Sequence, residues 1–122
     1  MNTEQVAQRL VELCRKGEFD QAQNELYADD AASIEPKGAA EGMGDAYGMD
    51  AIREKGRKFA ESIEAYHGFS VSEPLIAENW FSVTMGMDVT MKGMGRIDMN
   101  EICVYRVKDG KIVHEQFFYD AG

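Results

Sequence analysis

Residues 96–120 read RIDMNEICVYRVKDGKIVHEQFFYD, and the alternation in this stretch decides the fold. Side chains two apart along a strand share a face. Ile97, Met99, Cys103, Tyr105 and Val107 therefore fall in one row with Glu101, and on the returning segment Val113, Phe117 and Tyr119 fall in a row with Glu115. The two segments read as antiparallel strands meeting at Lys108-Asp109-Gly110. A carboxylate in a row built for burial must be paired, hydrogen-bonded or protonated. Glu101 and Glu115 are thus candidate acids or bases, and the hairpin is the first place to look for function.

The turn leaves two registers open. If Lys108-Asp109-Gly110 is a three-residue loop, Val107 pairs with Lys111, Glu101 lies opposite Phe117, Cys103 opposite Glu115 and Tyr105 opposite Val113. If Asp109-Gly110 alone turns the chain, the register slips by one, and Tyr105 faces His114 while Cys103 faces Gln116. The first gathers the apolar and aromatic residues on one side more completely. Which of His114 and Asp120, or Glu115 and Tyr119, faces inward depends on this choice.

Working back from the hairpin, Phe81, Val83, Met85, Met87, Val89 and Met91 occupy alternate positions with Ser82, Thr84, Asp88 and Thr90 between them, a strand with one buried face. The N-terminal half is helical. Thr3 reads as an N-cap for a helix carrying Val6, Leu10, Leu13 and Cys14, ending near Lys16 before Gly17. Phe19, Ala22, Leu26 and Tyr27 continue as a second helix, Asp29-Asp30 punctuates the chain, and a short strand over 31–35 stops at Pro36. Residues 36–48 contain Gly38, Gly42, Gly44 and Gly48 and read as a loop, without the Gly-Lys-Ser/Thr ending of a phosphate cradle. Asp50 is placed to cap a third helix with Ile52, Phe59 and Ile63 on one side and Gly68 at its exit, and a strand through Phe69 and Val71 follows. Helices first and strands after give an α+β layout, with the helices on one face of a curved antiparallel sheet, in one domain over residues 1–122.

Composition narrows the partners. The 122 residues carry a formal charge of −9 and a pI of about 4.6, which disfavours a nucleic-acid backbone or an anionic membrane surface. No apolar run approaches the ~20 residues of a membrane span, and the start MNTEQVAQRL has no signal-peptide pattern, so a cytoplasmic protein is expected. Cys14 and Cys103 fall on apolar faces and read as free thiols, and neither has a partner at metal-site spacing.

Three stretches, ELYADDAASIEP (25–36), GMDAIREKGRKF (48–59) and VYRVKDGKIVHEQFFYD (104–120), together resemble the SnoaL-like branch of the nuclear transport factor 2-like superfamily. The likeness runs over nearly the whole chain and rests on the order and spacing of these stretches. The resemblance implies a cystatin-like, cone-shaped α+β barrel: a strongly bent antiparallel sheet wrapped around three N-terminal helices, with a pocket inside and a homodimer through the outer sheet face. Relatives include polyketide cyclases, ketosteroid isomerase, limonene epoxide hydrolase and binding-only proteins, so the fold alone fixes no chemistry. The isomerase's catalytic base corresponds to Glu35, before Pro36. Leu10 and Cys103 stand where the isomerase carries its oxyanion tyrosine and neutral aspartic acid, and a base without such donors stabilises a dienolate poorly. Steroid isomerisation is therefore not expected.

The expectation is a protein that binds a small hydrophobic molecule, with no metal and no organic cofactor. Glu35, Glu101 and Glu115 are the candidate catalytic acids. Phe59, Met85, Met87, Cys103, Tyr105, Phe117 and Tyr119 are the candidate pocket wall. Isomerisation, cyclisation and hydration each need only a carboxylate whose pKa is raised by apolar surroundings. Each acid also has a structural reading: Glu35 as a solvated loop carboxylate, Glu101 as a salt-bridge partner of Arg53, Arg57 or Arg96, Glu115 as a rim residue. His67 and His114 read as surface histidines, and Tyr47, Tyr66 and Trp80 as packing or rim aromatics. The alternative function is a non-catalytic ligand-binding or dimerisation module, with Ile102, Val104 and Phe118 on the outer face.

Overall fold

The computed structural model describes residues 1–40 and 43–120, so Gly42 of the glycine-rich stretch lies outside the described residues. The elements are α1 (Thr3–Arg15), α2 (Phe19–Leu26), β1 (Tyr27–Ile34), β2 (Ala46–Tyr47), α3 (Met49–Glu61), β3 (Ile63–Val71), β4 (Leu75–Ala77), β5 (Trp80–Met91), β6 (Gly95–Lys108) and β7 (Lys111–Phe118). The strand order is β2-β1-β7-β6-β5-β3, with β4 also on β5. The sheet is curved, open and mixed, because β1 runs parallel to β7 while the other pairs are antiparallel. The expected purely antiparallel sheet is corrected at that one seam. β1 and β7 are not joined to each other by a hairpin, so no tight turn forces the two directions to oppose.

Local chemistry explains most boundaries and shifts a few. The α1 cap is Asn2, one residue before Thr3. Asn2 accepts from the Gln5 amide at 2.8 Å while the Gln5 side chain accepts from the Asn2 amide at 2.9 Å, a reciprocal capping box. Gly17 ends the segment at φ +74, and a Cβ there would stand 2.8 Å from the Phe69 ring, so both backbone and space require glycine. Tyr27 leaves α2 in an extended conformation and opens β1 directly. Asp29 and Asp30 therefore lie in a strand, exposed at an irregularity in its pairing with β7, rather than in a break. Gly48, not Asp50, precedes α3, and the helix closes at Ser62, with Gly68 inside β3.

The closing turn follows neither expected register. Asp109 and Gly110 both have positive φ, 52° and 76°, which is a two-residue turn of the mirror-image kind, pairing Lys108 with Lys111 and Val107 with Ile112. The pairing then shifts, and Arg106 lies opposite His114, Tyr105 opposite Glu115 and Cys103 opposite Phe117. One extra residue near Val113 restores odd-to-odd facing and turns Glu115 inward. Inside, Phe81 and Tyr105 are stacked cross-strand neighbours with centroids 4.8 Å apart, packed in one core with Val6, Leu10, Leu26, Ile52 and Ile112. Met85, Met87 and Met91 are half-buried.

Candidate functional site

The apolar stripe of α3 contains a lysine. Met49, Ile52 and Lys55 are its buried residues, three apart on the side that packs on the sheet. A buried ammonium requires partners. Lys55 Nζ donates to Ser33 Oγ at 2.7 Å and to Glu35 Oε2 at 2.9 Å, and the side chains of Lys55 and Glu35 are only 9% and 6% exposed. Its remaining side faces the Phe117 ring, 5.6 Å from the centroid. Glu35 lies just past the end of β1, where its amide donates to Asp45 Oδ1 at 2.8 Å, and its second carboxylate oxygen accepts from the Tyr119 hydroxyl at 2.7 Å. The solvated-loop reading of Glu35 is thereby replaced by a buried, fully engaged carboxylate.

Glu115 sits deeper. It is buried, lies beside Ser33 on β1 and Tyr105 on β6, and accepts a hydrogen bond from the Tyr27 hydroxyl. Burial pushes its pKa up. The bonds from Tyr27 and Ser33 and the charge of Lys55 oppose that shift, and the charge of Glu35 adds to it. A rim position for Glu115 is excluded by this burial.

Glu101 differs from both. It stands opposite Met85 on β5, and its one side-chain hydrogen bond among the described residues comes from the Cys103 thiol at 3.6 Å. Burial pushes its carboxyl up to about 7. The thiol works against this, the charges of Glu35 and Glu115 add to it, and Lys55 opposes it. Burial also raises the Cys103 thiol far above its usual range, so the thiol stays protonated and donates. None of the arginines expected as partners reaches Glu101. Arg53 bonds Asn24, Arg57 bonds Glu54 and Glu61, and Arg96 bonds Asp88.

The remaining candidates divide. Tyr105 and Cys103 are buried members of the packed core, while Met85 and Phe117 are half-buried against it. Met87 lies opposite Met99, Phe59 is half-buried on α3, and Tyr119 joins the polar cluster through Glu35. His114 contacts Gln116 and the edge of Trp80, and His67 contacts Thr90, both away from the carboxylates. A depression of about 490 Å³ is bounded by Pro36, Thr84, Asn100, Glu101, Ile102, Phe118, Tyr119 and Asp120 at the rim. Another of about 490 Å³ lies among Met1–Thr3, Asn79 and Arg106–Gly110, away from the buried acids. Lys55, Ser33 and Tyr27 were not legible as site residues. The available signal was the one charged residue in the Met49–Ile52–Lys55–Phe59 stripe.

A family model described as a SnoaL-like domain matches residues 1–119. A solved structure from Mesorhizobium loti, provisionally described as a SnoaL-like polyketide cyclase, is 35% identical with TM-score 0.89, covering 98% of this chain and 100% of that one. A Xanthomonas campestris protein of unknown function with a cystatin-like fold is 19% identical with TM-score 0.81, covering 97% and 90%. A Burkholderia pseudomallei NTF2-like protein of unknown function is 18% identical with TM-score 0.81, covering 99% and 93%. The latter two likenesses bear on the fold alone. No curated protein matches the chain.

Proposed function

The chain belongs to the SnoaL-like family, and from that premise we propose that it binds a small hydrophobic molecule in the cone and acts on it as a cofactor-independent acid/base catalyst of the isomerase, cyclase or hydratase type. Glu101 is the group that moves the proton. The observation that carries this reading is the contrast among three inward carboxyls. Glu35 is held by Lys55 and Tyr119 and Glu115 by Tyr27 and Ser33, whereas Glu101 has, among the described residues, only a thiol. It also borders the depression that Ile102 and Phe118 of the outer face share with Pro36 and Tyr119. A carboxyl that titrates near 7 both accepts and returns a proton at neutral pH, the condition for efficient general acid/base work. The cyclase description of the 35%-identical Mesorhizobium protein favours the same class.

The test is turnover of a panel of enolisable ketones, enones and epoxides by the wild type and by Glu101→Gln. Loss of a general base lowers kcat/KM by roughly 10²- to 10⁴-fold with the fold retained. Turnover that survives the substitution removes Glu101 from the role. A second reading, a dimeric binding module, is favoured by Ile102 and Phe118, direct cross-strand neighbours that are 50% and 47% exposed on the outer face. On this reading the homodimer forms through that face whether or not the cone is catalytic.

A further inference from the structure

Residues that pair across strands on one side of a sheet form rows. On the outer face of β5, β6 and β7 the middle row is Thr84, Ile102 and Phe118, and the next toward the hairpin turn is Ser82, Val104 and Gln116. Beyond that lie Trp80, Arg106 and His114. On the other side of the middle row Gly86 pairs with Asn100, and then Asp88 with Asp98. The three central rows carry no charge, and the rows that flank them carry opposite signs. The Arg106 guanidinium lies over the Trp80 ring, 5.8 Å from its centroid, and Asp98 stands beside Asp88, which is itself held by Arg96. Arg106 and Asp98 are both exposed, and among the described residues neither has an ion-pair partner. Past these rows the strand ends carry both signs, Lys108 next to Asp109 and Arg96 on Asp88.

Arg106 and Asp98 stand four residues to either side of Ile102, about 13 Å away along β6. A two-fold axis lying in a face-to-face interface has two directions to take. Along the strands it sets each row on itself, so that Arg106 meets Arg106 and Asp98 meets Asp98. Across the strands, through the middle row, it sets Ile102 on Ile102, Phe118 on Phe118 and Arg106 on Asp98. Like charges facing each other weaken an interface and opposite charges fix its register, so the second direction is selected. Stacked sheets lie ~10 Å apart, a gap that an arginine and an aspartate bridge together. We propose that a second copy of this chain docks on the outer face with its strands antiparallel to those of the first, Arg106 of each copy pairing with Asp98 of the other. The inference rests on the homodimer reading of this face and adds the orientation and its consequence for the site. Asn100, Ile102, Phe118 and Asp120 belong to the depression that Glu101 borders. In the antiparallel arrangement the partner's Val104 lies over Asn100 and the partner's Gln116 over Asp120. The depression is therefore open in a single copy and roofed in the pair, each copy completing the other's.

Charge reversal tests the orientation. Wild type, Arg106→Glu, Asp98→Arg and an equimolar mixture of the two variants are compared by light scattering and sedimentation at micromolar concentration. Wild type should be a dimer. Each variant alone should dimerise at least roughly 30-fold more weakly, because both of its ion pairs become like-charge contacts. The mixture should regain the wild-type affinity as a heterodimer, since each variant supplies the charge that the other now needs, and that recovery also shows both variants to be folded. Closure of the depression is read with Asn100→Cys, against a background of buried native thiols. Its reaction with a maleimide should be at least roughly tenfold slower in the dimer than when Arg106→Glu is added. A wild-type monomer removes the dimer and its orientation together. A wild-type dimer that both reversals leave unchanged, or variants that stay apart when mixed, overturns the orientation and leaves the dimer reading standing. Equal maleimide rates overturn the roofing of the depression.

Discussion

The two halves of the closing hairpin are built from the same strands, β6 and β7, yet their inward rows do different things. Near the turn, Tyr105, Val107 and Ile112 are buried in a packed core with Phe81 and the α1 residues Val6 and Leu10. Farther along, Glu101, Phe117 and Tyr119 share the interior with Glu35 and Lys55. Both halves alternate, with the phase of β7 shifted by one residue at the bulge near Val113. What differs is the element that faces each: α1 contributes aliphatic side chains, and α3 contributes an ammonium. A row of inward positions thus becomes core or chemistry according to its opposite face.

The sharpest way to break this comparison is to empty the turn-proximal half. Tyr105→Ala removes a completely buried ring from its stack on Phe81 and should cost about 3–5 kcal/mol in urea unfolding. A cost below about 1 kcal/mol would mean that this half is not the packed one. In the distal half the comparable loss is electrostatic. Lys55→Met strands the buried Glu35 carboxylate and should cost about 3–5 kcal/mol. Adding Glu35→Gln should recover most of it, and a double variant as unstable as the single would show that the charge pair is not the cause.

A smaller effect comes from Glu101 through pH. Its carboxyl is raised from 4.5 to about 7 in the fold, so the folded state holds its proton more tightly than the unfolded chain. The stability this provides is fully present below pH 4.5 and is lost as pH rises through about 7, with a slope of at most about 1.4 kcal/mol per pH unit. Unfolding midpoints at pH 5 and pH 8 should show Glu101→Gln gaining on wild type as pH rises. Parallel pH dependence in the two proteins would mean that Glu101 is solvated rather than buried. The smallest effect on the fold is expected outside the cone altogether. Phe118→Glu should change stability by less than about 0.5 kcal/mol while converting a dimer to a monomer by light scattering. An unchanged mass would place the dimer surface elsewhere or remove it.

Much of this was legible in the chain. The β5 and β6 alternation and the stripe of α1 carry their own periodicity, so those elements and the inward placement of Glu101 follow from side-chain direction alone, whereas that of Glu115 waited on the hairpin register. The register of the hairpin did not follow, because Asp109-Gly110 favours a two-residue turn while a bulge near Val113 undoes its phase. A bulge depends on twist and on the neighbouring β1 strand, which no local pattern reports. The role of Lys55 is hidden for a related reason. Its place in the Met49–Ile52–Lys55–Phe59 stripe was the one local sign, and composition alone does not separate it from Arg53 or Arg57, which remain on the surface.

Glu35 is singled out by the family resemblance, and the short strands β2 and β4 fall in stretches read without them. By itself the sequence determined the three helices, the long strands and the presence of Glu101 and Glu115 in otherwise apolar rows. These follow from periodicity, which is a property of consecutive residues. The tertiary structure decided which acid is held by Lys55 and Tyr119, which is closed off by Tyr27, and which is left with a thiol at the rim. Those partners come from residues 20 to 88 positions away, apart from Cys103 beside Glu101, and burial and pairing that set a carboxyl's proton affinity exist only once those segments have been brought together.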